Sequence, residues 1–262
     1  MNGPPEIFDR RAVRQHRERA AAQVQRVAPV LGEIAERLVE RLDDTTRRFH
    51  RALDLGGRGA VAPLLAARGM GVVSADLSPR MAARSGGLAL AADEEHLPFR
   101  SGAFDLVVAN LSLHWANDLP GALIQLRRAL APEGLLLASI PVLGTLDPLR
   151  TALTEVEAEI RGGASPRISP FPMLRDCAGL LQRAGFVLPV VDLETITLAY
   201  EDALSLLRDL RAAGETNAVA VRDRRVPPRA LFPGALAALP LREGRIGIDL
   251  CLAMLTGWAP AS

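Results

Sequence analysis

Between His50 and Pro141 the chain alternates short apolar runs with stretches that have helical spacing. The apolar runs are HRALDL, GVVSA, LALA, FDLVVAN and GLLLASIP, and stretches such as VAPLLAAR and DLPGALIQLRRAL separate them. A repeated strand, helix and strand is typical of a parallel sheet with right-handed crossovers. The chain of 262 residues is therefore predicted to be an α/β protein with one large main domain.

Helices precede and interrupt this pattern. The first fifty residues contain two helical stretches, so we assign residues 1–45 to an N-terminal helical segment that acts as a lid or a docking element. Residues 46–262 form the main domain, with inserted segments at 141–172 and 201–245. Two long strands are predicted in FVLPVVDLETITLAY and RIGIDLCLAMLTGW, and a helix in EDALSLLRDLRAAG.

Composition excludes several classes of protein. Hydrophobic residues make up 49% of the chain, charged residues 23%, and the net charge is only +1, which disfavours disorder and a nucleic-acid partner. Cys177 and Cys251 lie far apart without the spacing of a zinc site or a disulfide framework. No apolar run reaches the roughly 18 to 20 residues of a membrane span, and no secretory signal is evident, so we expect a cytoplasmic protein.

A glycine-rich turn marks the first candidate site. The run ALDLGGRGAVAPLLAARG places Asp54 at the end of an apolar strand, followed by Gly56, Gly57 and Gly59 before a helix begins. Glycines permit unusual backbone angles and let a ligand approach the main chain closely. Such a turn also occurs without any ligand, so it indicates a site only when other features agree.

A carboxylate at the right distance supports the site. Asp76 ends the next apolar strand, twenty residues beyond Gly56. That is the spacing at which a carboxylate reaches the ribose of a nucleotide, where its acceptor oxygens can take both hydroxyl donors of the diol. Nicotinamide enzymes and S-adenosylmethionine enzymes share these two features, so they leave both classes open.

The later blocks resemble one of these classes. DLGGRG, ADLSPRM, ADEEHLPF and FDLVVANLSLHWANDLPGALIQLRRALAPEG occur in the order found in class I S-adenosylmethionine-dependent methyltransferases, especially the biotin-pathway malonyl carrier-protein methyltransferase group. The resemblance implies a Rossmann-like, mostly parallel seven-stranded sheet with an antiparallel last hairpin and an N-terminal helical lid. It also implies a S-adenosylmethionine site in which the cofactor-binding residues are Asp54, Gly56, Gly57, Gly59, Asp76, Leu77, Asp93, Glu94 and Asn110.

Each of these residues has an implied role. Asp54 and the glycines line the methionine part of the cofactor and Asp76, with Leu77 beside it, holds the ribose. Asp93 meets the adenine amine, next to Glu94, and Asn110 lies over the methionine.

A second resemblance covers more of the chain. FDRRAVRQHRERAA, DEEHLPF, LSLHWANDLPGAL, RGGASPRISPF and LLQRAGF are similar to segments of the methyltransferase-like assembly factors of respiratory complex I. That family implies a complex I subunit as partner, with arginine hydroxylation attributed to its mitochondrial member. We therefore expect a methyltransferase acting on a protein or carrier-bound acceptor, and keep as the alternative an assembly factor that binds or hydroxylates its client without methyl transfer. A nicotinamide-dependent oxidoreductase is a weaker alternative, because a GxGxxG run is missing.

The glycine turn departs from the family pattern. DLGGRG lacks the residue that normally separates the first two glycines, so the loop is one residue short. Either the helix begins earlier and the ligand still enters, or the turn is degenerate and affinity falls. Arg58 within it is interpreted as a solvated side chain or, alternatively, as a clamp on the methionine carboxylate.

His114 and Trp115 are the candidate catalytic residues. They follow the fourth strand, over the expected position of the methyl group. His114 could act as a general base, although a lone histidine is more often a hydrogen-bonded wall residue, and packing alone would explain Trp115. The four histidines are scattered at positions 16, 50, 96 and 114, so no metal is expected.

Basic segments suggest where a client docks. Arg10, Arg14 and Arg17 share one helical face, which we interpret as solvated or, alternatively, as a docking face or a lid. The segment RGGASPRISPF, with Arg167, is interpreted as a substrate gate because a long Gly/Pro/Ser connection beside an active site needs a reason. The cysteines are expected to pack in the interior. The sequence indicates no oligomeric state.

Overall fold

A computed structural model describes residues 6–261 of the chain. Residues 1–5, which begin the predicted N-terminal segment, and residue 262 lie outside it. Within the described range the α-helices are Arg10–Ala20 (α1), Ala28–Glu40 (α2), Val61–Ala67 (α3), Pro79–Ala82 (α4), Leu119–Ala129 (α5), Asp147–Arg161 (α6), Leu174–Arg183 (α7), Ala203–Ala213 (α8) and Leu231–Ala237 (α9).

One mixed sheet forms the centre of the molecule. Its strands are Arg51–Leu55 (β1), Gly71–Asp76 (β2), Leu88–Ala91 (β3), Phe104–Asn110 (β4), Leu130–Pro141 (β5), Val187–Tyr200 (β6), Leu241–Arg242 (β7) and Arg245–Trp258 (β8). The order is β3-β2-β1-β4-β5-β8-β6, and β7 pairs with β8 as a short hairpin. Strands β1 to β5 pair in parallel, whereas β8 is antiparallel to both neighbours, so the predicted fold is confirmed.

The central strands are covered on both faces, as continuous apolar runs in a parallel sheet require. Along β4, Leu106 and Val108 belong to the core that packs against α2 and α3. Val107 and Ala109 point to the opposite core, which α5 and α7 cover. This period of two gives the sheet its two hydrophobic layers.

The predicted helices and long strands outside the alternating region also form. The long runs in 186–200 and 245–258 are strands, and the helix predicted in EDALSLLRDLRAAG is α8. Helices α6, α8 and α9 share a third apolar cluster with β6 and β8. The division of the chain into residues 1–45 and 46–262 stays a prediction.

Helix α1 lies against the carboxyl ends of the parallel strands. Its side chains reach residues that follow β2, β3 and β4, and its axis packs beside α4 and α8. Asp9 caps the helix, since its side chain accepts a hydrogen bond from the amide of Ala12. The residues that come together under α1 are those that the sequence assigns to the cofactor.

Across residues 6–261, helices of the length and apolarity needed to cross a membrane are absent. In the same range no three His, Cys, Asp or Glu side chains are grouped as metal ligands. Cys177 is buried as predicted, and burial raises the pKa of its thiol to about 11. Cys251 is only partly buried.

Candidate functional site

The glycine turn is tight and uses three residues in the left-handed region. Gly56 has φ 67°, Arg58 has φ 53° and Gly59 has φ 86°, and α3 then begins at Val61. Arginine adopts this conformation at a cost that glycine does not carry. The shortened turn therefore holds Arg58 in a strained conformation just before α3 begins.

The turn closes around a buried carboxylate. A Cβ atom on Gly57 would collide with Asp54 Oδ1, and one on Gly56 would collide with Ser112. Asp54 is fully buried, and its Oδ2 accepts a hydrogen bond from Ser74 Oγ at 3.1 Å. The amides of Gly57 and Ala62 lie near the carboxylate, but Oδ1 has no partner of good hydrogen-bond geometry among the described residues. Burial raises the pKa of Asp54 to about 7.

Asp76 ends β2 where the ribose was predicted to bind. One carboxylate oxygen accepts the amide of Ser78 at 2.8 Å, and the other accepts Arg17 Nη1 at 2.8 Å. Arg17 is fully buried, and its Nη2 also donates to the Leu111 carbonyl at 3.3 Å. Leu77 packs against the apolar cluster that includes Ala12 and Val13 of α1. A solvated face is therefore wrong for Arg17.

The acidic residues that follow β3 form ion pairs with a second arginine of α1. Arg10 Nη2 lies 2.5 Å from Asp93 Oδ1 and also pairs with Glu94. Its Nε lies 3.4 Å from Glu95, and its Nη1 donates to the Trp115 carbonyl at 3.0 Å. Glu94 is almost fully buried, whereas the Asp93 side chain is 29% exposed. The two predicted adenine-site carboxylates are thus held together by one guanidinium.

Arg58 is not solvated, which corrects the favoured interpretation. Its side chain is fully buried, donates to the Leu111 carbonyl at 2.9 Å and pairs with Glu215. Burial and the neighbouring Arg17 lower the pKa of Arg58 to about 10. Two buried guanidinium groups therefore share the carbonyl of Leu111, itself in the left-handed region with φ 52°.

His114 and Trp115 converge on Glu215, a residue that the sequence analysis missed. His114 Nε2 and Trp115 Nε1 each lie 2.9 Å from Glu215 Oε2. Burial alone would raise the pKa of Glu215, but His114 and Arg58 lower it to about 2. An ionised carboxylate only accepts hydrogen bonds, so it places the proton of a neutral His114 on Nε2. The sequence around Glu215 gives no sign of its role, because its partners His114 and Trp115 are about a hundred residues away along the chain.

Asn110 and Trp115 have structural partners. The amide of Asn110 donates to the Leu31 carbonyl at 3.1 Å, and its oxygen accepts from Ser139 Oγ at 2.9 Å. This anchors α2 to the sheet. Trp115 packs edge-on against Phe8, with ring centroids 5.2 Å apart. Packing thus accounts for part of the role of each residue.

An apolar cavity of about 120 Å³ adjoins this cluster. Arg58, His114 and Glu215 line one end, and Ile168 and Phe171 from the predicted gate line another side. The Nδ1 atom of His114 is buried and has no hydrogen-bond partner among residues 6–261. An engineered cavity of roughly 150 Å³ holds benzene, so the space suits a group of a few heavy atoms.

The gate segment is braced from below. Glu157 of α6 is buried, accepts Arg167 Nε at 3.0 Å and also accepts the amide of Ser165 at 3.1 Å. These bonds and the pairing with Arg167 lower the pKa of Glu157. Arg167 therefore fixes the gate segment to α6, and Glu157 largely neutralises its charge.

The fold and these strand-end groups define a class. The chain belongs to the class I S-adenosylmethionine-dependent methyltransferases, and the Methyltransferase domain family matches residues 53–138.

Two kinds of relative lie within this class. The chain is 40% identical over 220 residues to arginine-hydroxylase NDUFAF5, mitochondrial, of Homo sapiens, covering 80% of this chain but 64% of that protein. It is 36% identical to malonyl-[acyl-carrier protein] O-methyltransferase of Halorhodospira halophila, covering 85% and 77%. Among solved structures, the YcgJ protein of Bacillus subtilis superposes with a TM-score of 0.59 at 14% identity, over 87% of this chain and all of that one, a likeness of fold alone. Both resemblances stated from the sequence are confirmed.

The residues at the strand ends fit S-adenosylmethionine, the cofactor that this family implies. Asp54 Oδ1 is a buried acceptor without a partner of good hydrogen-bond geometry among the described residues, and the glycine turn admits no side chain beside it. Asp76 and Asp93 offer acceptor oxygens suited to hydroxyl and amine donors. In this conformation, however, Arg17 and Arg10 hold those two carboxylates.

Proposed function

We propose that this chain binds S-adenosylmethionine through Asp54, the glycine turn, Asp76 and Asp93, and modifies a protein or carrier-bound acceptor. The observation that carries the proposal is the glycine turn packed against Asp54, whose buried Oδ1 has no partner of good hydrogen-bond geometry within residues 6–261. A cationic ligand with an amine and two hydroxyl groups would supply the donors that this set of acceptors requires.

The residues around the cavity would position the acceptor. When bound, S-adenosylmethionine supplies an already activated methyl group, so alignment of donor and acceptor contributes most of the catalysis. The apolar walls exclude water, and Ile168 and Phe171 would cover the acceptor from the gate side. His114 Nδ1, free of partners and oriented through Glu215, would accept the proton of an O–H or N–H nucleophile.

Calorimetry with S-adenosylmethionine and its demethylated product tests the cofactor assignment. Asp76→Asn removes the charge while preserving size and should weaken binding by about tenfold, since a charge-assisted hydrogen bond contributes about 1.5–3 kcal/mol. Asp192→Asn on the exposed part of β6 is the matched control and should leave affinity unchanged. Equal affinities in all three proteins would remove Asp76 from the site.

A specific observation favours a second function. Asp76, Asp93 and Glu94 are all paired with arginines of this chain, as a client-binding protein that no longer uses the cofactor would require. That alternative is an assembly factor that binds or hydroxylates an arginine of a complex I subunit. Mass spectrometry of a candidate client separates the outcomes: a gain of one methylene indicates methyl transfer, a gain of one oxygen hydroxylation, and an unchanged mass binding alone. A cytoplasmic location stays a prediction.

A further inference from the structure

We propose that α1 is an intramolecular competitor of the cofactor: Arg10 and Arg17 occupy the carboxylates that the cofactor needs, so the site opens only when these guanidinium groups leave. We call this pair of residues the arginine latch. The inference rests on the proposed function, because it concerns regulation of the same site.

Arg17 reaches the centre of the site. Its Nη1 lies 2.8 Å from Asp76 Oδ2 and its Nη2 lies 3.3 Å from the Leu111 carbonyl, so one guanidinium joins the ends of β2 and β4. The Asp76 oxygens have further lone pairs, but Asp76 is only 2% exposed, so a ligand hydroxyl cannot reach them while Arg17 is in place. Binding of that ligand and the Arg17 contact are therefore mutually exclusive.

Arg10 occupies the predicted adenine-site carboxylates in the same way. It lies 2.5 Å from Asp93, pairs with Glu94 and is 15% exposed. Arg10 and Arg17 are seven residues apart, close to two helical turns, so one helix delivers both groups to carboxylates that follow different strands. The two contacts consequently form and break together when α1 moves.

Contacts around α1 hold the helix where Arg10 and Arg17 can reach their carboxylates. Asp9 pairs with Arg222 at 2.8 Å, and the amides of Ile7 and Phe8 both lie 2.7 Å from Asn117 Oδ1. On the other side, Gly214 after α8 packs against Arg17, since a Cβ built there would be in van der Waals contact with its backbone and side chain at 3.4–3.5 Å. The position of the arginines is thus built into the packing of α1.

The latch leaves polar groups unsatisfied. Arg17 Nε is buried without a hydrogen-bond partner among the described residues, Arg10 Nε meets Glu95 at 3.4 Å without hydrogen-bond geometry, and Arg58 competes for the Leu111 carbonyl. Buried donors without partners weaken a closed state, because water would satisfy them after opening. The closed state is therefore set up to exchange with an open one, and measured cofactor affinity is reduced by the fraction of molecules that is closed.

Calorimetry of S-adenosylmethionine binding to the full chain tests the latch. Arg10→Gln removes the partly exposed contact and should tighten binding by about tenfold, because more molecules are open. Arg14→Gln, on an exposed position of the same helix, is the matched control and should bind like the unaltered chain. Choosing Arg10 avoids the fully buried Arg17, whose loss could unfold the protein.

Hydrogen exchange gives a second, independent result. With S-adenosylmethionine bound, the amides of residues 10–20 should exchange faster than in the free protein. Unchanged or weaker binding by the Arg10 variant, or protection of α1 on binding, would show that the arginines are neutral or hold the cofactor, which overturns the latch but keeps the cofactor site. No binding by any of the three proteins overturns the proposed function, and the latch with it.

Discussion

The pair between Arg17 and Asp76 should be measurable in the stability of the protein without any ligand. The Arg17 side chain is 0% exposed and that of Asp76 is 3% exposed, at an N to O distance of 2.8 Å. Removing one partner of such a pair leaves the other charge buried and typically costs about 3–5 kcal/mol. Arg17→Met keeps most of the aliphatic packing, so the loss it measures is mainly electrostatic.

Replacing both partners should cost much less. In Asp76→Asn the side-chain oxygen still accepts the amide of Ser78, and in the double variant with Arg17→Met neither position holds a charge that lacks its partner. Because the attraction within an ion pair offsets its desolvation only partly, we expect the double variant to lose about 1–2 kcal/mol. This is far less than the sum of the two single losses, so the coupling should be at least about 4 kcal/mol.

Urea denaturation at neutral pH, followed by far-UV circular dichroism, measures the four proteins of this cycle. Similar m-values would confirm that only stability has changed. Single variants that each lose under about 0.5 kcal/mol and add without coupling would refute the reasoning. The closed arrangement would then be rare in solution, and Asp76 would be solvated and free.

Further predictions concern titration and packing. Burial raises the pKa of Asp54 to about 7, so its contribution to stability is fully present below the unfolded pKa and is lost as the pH rises through 7. The stability of Asp54→Asn relative to the unaltered chain, measured by urea denaturation, should therefore increase by up to about 4 kcal/mol between pH 4 and pH 8. A difference that stays constant with pH would contradict this. Glu215→Gln leaves Arg58 buried without a countercharge and should cost about 2–3 kcal/mol in the same assay, against no change for the exposed Glu155→Gln. With its pKa near 11, the Cys177 thiol should react with a disulfide reagent only after unfolding, and rapid labelling of the native protein would count against its burial.

Periodicity was enough to predict the sheet. Alternating apolar runs identify the strands, and Asp54 and Asp76 stand out because each ends such a run. Asp93 was implied by the family resemblance. The helix that covers the site was also predicted, although the contacts of its side chains were not.

The contacts of the arginines needed the tertiary structure. An arginine on an amphipathic helix is usually solvated, and nothing in its neighbours along the chain reveals that Arg17 meets a carboxylate 59 residues away. Glu215 likewise acts on Arg58 and His114 across long sequence separations. Asn110 was assigned over the methionine, yet its amide is engaged with the backbone of α2. Partner choice at these positions depends on the packing of α1 and α2, which no local pattern encodes.

A crystal structure of the chain with S-adenosylhomocysteine would test the central claim most directly. We predict that the ribose hydroxyl groups lie within hydrogen-bond distance of Asp76, that the adenine amine lies near Asp93, and that Arg17 has left the Asp76 carboxylate. A structure in which the Arg17–Asp76 contact of 2.8 Å persists while the ligand is absent or bound elsewhere would contradict the account.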